Sequence, residues 1–326
     1  MPVLNKLTHT SSASRIAEAI AARNSALVAH QDMRRTQPDR SAPAERTCGA
    51  PGCTGRWTPP WKNRRRPIFE QEWGCTPRCL AKLVEAAVRR EIGDGIREDT
   101  SPTHRHRVPL GLVLLAQGWI THPQLQTALD AQRASGRGRI GDWLASSCGL
   151  REEQIARGLS AQWSCPVLSL DGFSPAAMAL AMPKRFVAEF GLVPIRVAGS
   201  RLLYLAFEEQ MDAAVALGIE QMSGLKVESG LLGSRAFGAA RSGLLSADAV
   251  PVTMKLVRDR DELTAAIVDD LGKRQPISAR LVRVHQYYWL RLWLESGAIP
   301  EAGTLPTSAE DVHDLLYLVG TKDDQD

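Results

Sequence analysis

The sequence predicts an α+β protein on three observations. A helical pattern repeats at an offset of thirty residues, two short apolar runs flank a Gly-Ser turn, and two close cysteine pairs precede both. The 326 residues suffice for two or three domains, each with its own core. An apolar fraction of 44% and a charged fraction of 23% are those of a globular chain. The net charge of +4 excludes the whole-molecule field of a strongly basic nucleic-acid binder. Arginines do gather in the first third, at Arg34-Arg35, Arg64-Arg65-Arg66, Arg105 and Arg107, while Asp323, Asp324 and Asp326 make the end acidic. No run of about eighteen uncharged apolar residues is present to span a bilayer. Met1 to His30 lacks the basic start and apolar core of a signal peptide. These features predict a cytoplasmic protein whose thiols stay reduced.

Residues 1–46 predict a mostly flexible N-terminus with one weak helical signal near Ser14 to Val28. Residues 47–95 carry Cys48, Cys53, Cys75 and Cys79 as C-x4-C and C-x3-C pairs, followed by a helix. Two thiolate pairs on tight turns are what a tetrahedral structural zinc site requires. A redox or iron–sulfur role and unpaired thiols are the alternatives. Gly49, Gly52 and Gly55 permit turns around the first pair, and Trp57, Trp61, Phe69 and Trp73 offer a mini-core too small to hold unaided. This is read as a zinc-ribbon-like module. Its basic loop, Lys62 to Arg66, suits phosphate contact or a docking surface. The following helix shows Leu80, Leu83, Val84, Ala87 and Val88 at helical spacing and stops at Gly93 and Gly95. Gly95 to Thr103 reads as a linker, and His104 and His106 as surface residues.

Residues 104–240 open with the repeat. Leu110 falls on Ile140, Gly111 on Gly141, Leu114 on Leu144, Ile120 on Leu150, Gln124 on Gln154, Leu125 on Ile155, Leu129 on Leu159 and Gln132 on Gln162. Each copy predicts a short helix, a turn at Gly118 or Cys148-Gly149, and a second helix, with Thr121 as one N-cap and Pro123 in its first turn. Neither hairpin can bury a face alone, so the two are expected to pack together. Cys148 and Cys165 are expected to be inert packing residues. Beyond them, Leu192 to Val197 and Leu202 to Ala206 predict strands, and Asp212 to Met222 a helix.

These stretches, LGLVLLAQGWITHPQLQTALDAQ and RIGDWLASSCGLREEQIARGLSAQWSCPVLSL, resemble the paired motifs of the GspE/PilB/MshE N-terminal domain of type II secretion and type IV pilus ATPases. The resemblance runs on through about residue 232 and covers about 135 residues. It implies a small α/β sandwich beside the tandem helical hairpins, bacterial origin, and a protein partner in secretion or pilus machinery. Full-length members carry a P-loop ATPase, yet no G-x-x-x-x-G-K-[ST] occurs here, and Leu271-Gly272-Lys273-Arg274 lacks its essential residues. A non-catalytic regulatory or adaptor role is therefore expected. Some members bind cyclic di-GMP, one motif per guanine half. The positions carried over are Arg107, Leu110, Gly111, Leu114, Gly118, Leu125, Leu129 and Gln132, with Arg139, Ile140, Gly141, Leu144, Leu159 and Gln162. The chain departs from the pattern at Pro109, where the first copy should hold an arginine. The resemblance thus leaves a cyclic di-GMP receptor as an alternative to the adaptor, and the basic 62–66 loop leaves a zinc-dependent nucleic-acid binder as another.

The final region, 250–326, predicts a strand near Val250 to Val257 and then a helical tail. Its helices are placed at Asp261 to Leu271, Ser278 to Glu295 and Ser308 to Val319. The aromatic run His285 to Leu294 is read as a stripe on the second of these. Asp269 and Asp270 are read as lacking a partner base.

Overall fold

The computed structural model describes residues 47–55, 67–93, 108–199, 201–207, 212–295 and 305–320. The helical signal at 14–28, the basic loop 62–66, the 95–103 linker, Arg107, Trp57, Trp61, His104 and His106 lie outside them. The described residues form one compact unit.

The first element is a hairpin of β1 (Ile68–Phe69) and β2 (Glu72–Trp73). Its turn residues Glu70 and Gln71 both take positive φ, 51° and 68°, which matches the twist of the strands. Helix α1 (Pro77–Ile92) follows, with Thr76 at the N-cap, Pro77 opening the first turn and Gly93 closing it at φ 76°. Its buried face is Leu80, Val84, Ala87 and Val88, as the spacing predicts.

The repeat forms two helical hairpins: α2 (Leu110–Ala116) with α3 (His122–Ser135), and α4 (Ile140–Cys148) with α5 (Glu152–Trp163). Their buried leucines, Leu110, Leu114, Leu125 and Leu144 among them, make one shared core. Bonds as well as residues repeat. The Thr121 backbone amide donates to Gln124 Oε1 at 2.8 Å, and the Arg151 amide to Gln154 Oε1 at 3.0 Å. Both turns use a left-handed glycine, Gly118 at φ 69° and Gly149 at φ 67°. In the second copy that glycine stands one residue later, because Cys148 still belongs to α4.

A second layer contains α6 (Pro175–Met178), α7 (Lys184–Glu189), β3 (Leu192–Ala198), β4 (Leu202–Phe207), α8 (Ala213–Ser223), β5 (Lys226–Leu231) and α9 (Ser234–Ser246). The strands run in order β3-β4-β5, antiparallel and then parallel. The strands and helix predicted for this stretch are present.

The expected helical tail is corrected. Among the described residues only α10 (Arg260–Arg274) is helical there. The rest is strand: β6 (Val252–Val257), β7 (Ser278–Val284), β8 (Tyr287–Trp293) and β9 (Val312–Val319). They form a sheet in order β6-β9-β8-β7, with β6 parallel to β9 and the other pairs antiparallel. The supposed helix at 278–295 is the β7–β8 hairpin, turned at His285, whose φ is 51°.

This sheet is the middle layer. Leu281, Tyr288, Leu290, Leu315 and Tyr317 face α1 and α10. Val282, Trp289 and Leu316 face Met182 and Phe186 of the second layer. Phe186 meets Trp289 edge-on, 5.3 Å between centroids. Each large side chain so buried contributes about 1.5–3 kcal/mol. A buried Arg291–Asp314 pair crosses into the second layer, since Arg291 Nη1 also donates to the Leu180 and Ala181 carbonyls at 3.1 Å.

Candidate functional site

The first candidate is the thiol cluster. Cys48 and Cys53 lie on a loop closed by Cys48 N–H to the Gly55 carbonyl at 2.7 Å and Cys53 N–H to the Ala50 carbonyl at 3.0 Å. Gly49 N–H donates to the Trp73 carbonyl at 2.9 Å, which ties that loop to the hairpin. Cys75 precedes α1 and Cys79 sits in its first turn, where Cys79 N–H donates to Thr76 Oγ1 at 3.2 Å. The second pair therefore rides on a helix N-terminus, with Pro77 between its cysteines. A helix start also favours thiolate over thiol.

All four sulfurs lie within 4.8 Å of one another, and Cys75 Sγ is 3.5 Å from both Cys53 Sγ and Cys79 Sγ. A tetrahedron with metal–sulfur bonds of about 2.3 Å has edges of about 3.8 Å, so the four fit around one ion. Two backbone amides point at sulfur, Gly55 N to Cys53 and Cys75 N to Cys48, both at 3.4 Å. A Cβ on Gly55 would stand 2.8 Å from Cys75 Sγ, so only glycine leaves room for this packing. Crowding also splits the thiols' acidities. Hydrogen bonds with Cys53 and then Cys79 push Cys75 up to about 12, whereas those from Thr76 and then Cys75 bring Cys79 down to about 7. A cation at the centre would remove the competition for protons. Four protein sulfurs leave no open position for substrate.

The module has a second task. On the outer edge of β7, Glu70 N–H donates to the Ala279 carbonyl at 2.7 Å and Arg283 N–H to Glu91 Oε2 at 2.8 Å. Between them, Leu281 N–H approaches Glu70 Oε1 at 3.5 Å, and Arg90 Nη2 reaches the Leu281 carbonyl at 3.4 Å. Arg90 also grips the Glu70 carboxylate, at 2.6 and 2.7 Å. The cysteine module thus seals one edge of the middle sheet. Nothing in the cysteine spacing signalled this.

The second candidate is the tandem motif. Among the carried-over positions, Leu110, Gly111, Leu114, Leu125, Gly141 and Leu144 are buried within the bundle. Leu129, Gln132, Ile140, Leu159 and Gln162 are half-buried, and Gly118 and Arg139 are exposed. The glutamines have reciprocal partners. Gln132 Nε2 donates to the Gly138 carbonyl and Gln162 Nε2 to the Val108 carbonyl, each at 2.9 Å. Each copy's last helix thereby holds the start of the other copy, and the two donors, like the two acceptors, stand thirty residues apart. The bundle has an internal pseudo-two-fold.

Its glycines are packing residues. A Cβ on Gly158 would meet Leu114 Cδ2 at 2.6 Å and Leu110 Cδ1 at 2.9 Å, whereas one on Gly141 meets Ile155 Cγ2 at 3.2 Å. Gly158→Ala is expected to destabilise by about 1–3 kcal/mol, because both leucines are already buried. Gly141→Ala should fall within about 1 kcal/mol of wild type, as a helix-propensity gain of similar size offsets the tighter contact. Urea unfolding of the two variants checks the difference. The residue matching Gly158 in the first copy is Ala128, fully buried with its methyl accommodated.

The pseudo-symmetry fails on the surface at the motif starts. The first copy shows Val108, Pro109 and Leu112, with Val108 56% and Leu112 48% exposed. The second shows Gly138, Arg139 and Asp142 at the same places.

No family description matches the chain, and no curated protein does. Among solved structures, one of MshE with cdg is 28% identical, covers 42% of this chain and 98% of that chain, and has a TM-score of 0.34. The N-terminal domain of XpsE is 16% identical, with 41% of this chain and 92% of that chain covered and a TM-score of 0.29.

Proposed function

We propose, from a GspE/MshE N-terminal-like module joined to a four-cysteine metal site, that this chain is a non-catalytic regulatory adaptor that acts by binding a protein. The observation that carries this reading is the broken pseudo-symmetry. Where one motif start is polar, the other exposes Val108 and Leu112 beside a proline. Exposed apolar side chains on an ordered helix end suit a protein surface better than a phosphate. Components of secretion or pilus assembly are the partners to test first, in a reducing, cytoplasmic setting. The metal of this reading is zinc, which takes four thiolates tetrahedrally and does no redox chemistry.

Leu112→Asp is expected to weaken partner binding tenfold or more, about 1.4 kcal/mol, with the unfolding midpoint of the protein unchanged. Equal binding by the variant would refute the reading.

A second reading is favoured by the two-fold arrangement itself. A cyclic dinucleotide has two equivalent halves, and the bundle offers two related starts, 108–111 and 138–141, with Arg139 exposed at the N-cap of α4. Arginine can stack on or hydrogen-bond guanine. Titration calorimetry with cyclic di-GMP separates the readings. Heat that is lost in Arg139→Ala supports the receptor, and no heat with wild type removes it.

A further inference from the structure

We infer that the free edge of the middle sheet is a self-association site, where β6 pairs antiparallel with β6 of a second copy about Met254. The two edges of this sheet are treated differently. The β7 edge is sealed by Glu70, Arg90 and Glu91, whereas β6 has no strand beyond it among the described residues.

The backbone dictates which residues face outward. Asp314 N–H donates to the Pro251 carbonyl and Gly320 N–H to the Val257 carbonyl, so the odd-numbered residues of β6 turn towards β9. Val252, Met254 and Leu256 therefore aim their amides and carbonyls away from the sheet. Their side chains are exposed as well, at 37%, 43% and 76%. Natural edges are guarded by bulges or projecting lysines. The β6–β9 register is unbroken, and Lys255, on the other face, is held by Asp270 at 2.6 and 2.7 Å.

An unpaired backbone edge calls for an extended strand, and the pattern along β6 selects its own copy. In antiparallel pairing only residues with outward backbone groups can exchange hydrogen bonds, so even-numbered residues must lie opposite even-numbered ones, and side-chain matching then chooses among the registers. Centred on Met254, Val252 lies opposite Leu256 of the second copy, and every exposed apolar side chain meets another. The same register sets Lys255 opposite Thr253, so no like charges face each other. It also brings the end carrying Arg258, highly exposed, towards the end carrying Asp248, also exposed. The product is a continuous sheet closed at both outer edges by cysteine modules.

Sedimentation of the full chain should show a dimer, and Met254→Lys, which sets two ammonium groups across the dyad, should sediment as a folded monomer. Register is read by oxidative cross-linking. Met254→Cys should form a disulfide between copies, because a hydrogen-bonded antiparallel pair spaces Cα atoms about 5.5 Å apart. Leu256→Cys, opposite Val252, should not. A wild-type monomer at every concentration overturns the proposal and leaves the edge to an extended peptide of another protein. A folded Met254→Lys dimer, or cross-linking that fails at Met254 or is equal at Leu256, overturns it too.

Discussion

Purified protein is expected to carry one zinc per chain, and removing it should unfold the 47–55 loop, the β1–β2 hairpin and α1, and loosen the sheet beneath them. Structural zinc contributes roughly 10–16 kcal/mol in small thiolate sites, as much as the entire stability of a typical domain, about 5–15 kcal/mol. Here the hairpin is only two residues per strand, and its core is Cys48, Ala50 and Trp73. So little apolar surface cannot fix the loop without the ion. The loss should spread, because α1 lies on the sheet through Val84 and Val88, both fully buried. Chelation, or Cys79→Ser, should lower the melting temperature substantially. It should also release the Arg283 amide to hydrogen exchange, since that amide depends on Glu91, while amides inside β8 stay protected. Metal-free protein that melts where the holoprotein does would contradict the assignment.

Legibility followed how local the determining forces were. The bundle was readable because each residue recurs thirty positions later in the same environment, down to the Gln124 and Gln154 caps. The thiol cluster was readable because four ligands of one chemical kind imply one centre. The 278–295 stretch misled because helices and strands pack on both faces of β8, which is buried at all seven positions. A strand buried on both sides loses its alternation and imitates a buried helix. Its density of Tyr, Trp and Val was the available signal. β9 misled similarly, since Ser308, Glu310 and Asp311 resemble a helix start. Asp270, read as lacking a partner, is bound by Lys255 from β6, a long-range contact beyond the reach of periodicity. The glutamines were found, but as ligand candidates. That they reach carbonyls of the opposite copy depends on the bundle closing, which no single helix encodes. Arg291 left a trace, as a lone charge within YYWLRLW, which is costly unless a buried partner exists.

That arginine should give the largest single-residue effect away from the thiol cluster. Arg291 and Asp314 have side chains 2% and 0% exposed, joined by two hydrogen bonds at 2.7 and 2.8 Å. Removing one partner leaves the other charged and dry, which costs about 3–5 kcal/mol. The two deletions should not be equal. Asp314→Ala leaves the guanidinium its bonds to the Leu180 and Ala181 carbonyls, whereas Arg291→Ala strands the carboxylate and both carbonyls at once. The arginine variant should therefore be the less stable, by about 1–3 kcal/mol for the orphaned acceptors. Replacing both residues by Met and Leu removes the charge conflict but still strips the 180–181 segment of its donor. That double variant should recover most of the loss without reaching wild type. Denaturant midpoints for the three proteins measure the order. Equal single variants would mean that the 180–181 carbonyls find water instead, and full recovery in the double variant would mean that Arg291 serves only its partner strand and not the layer beneath.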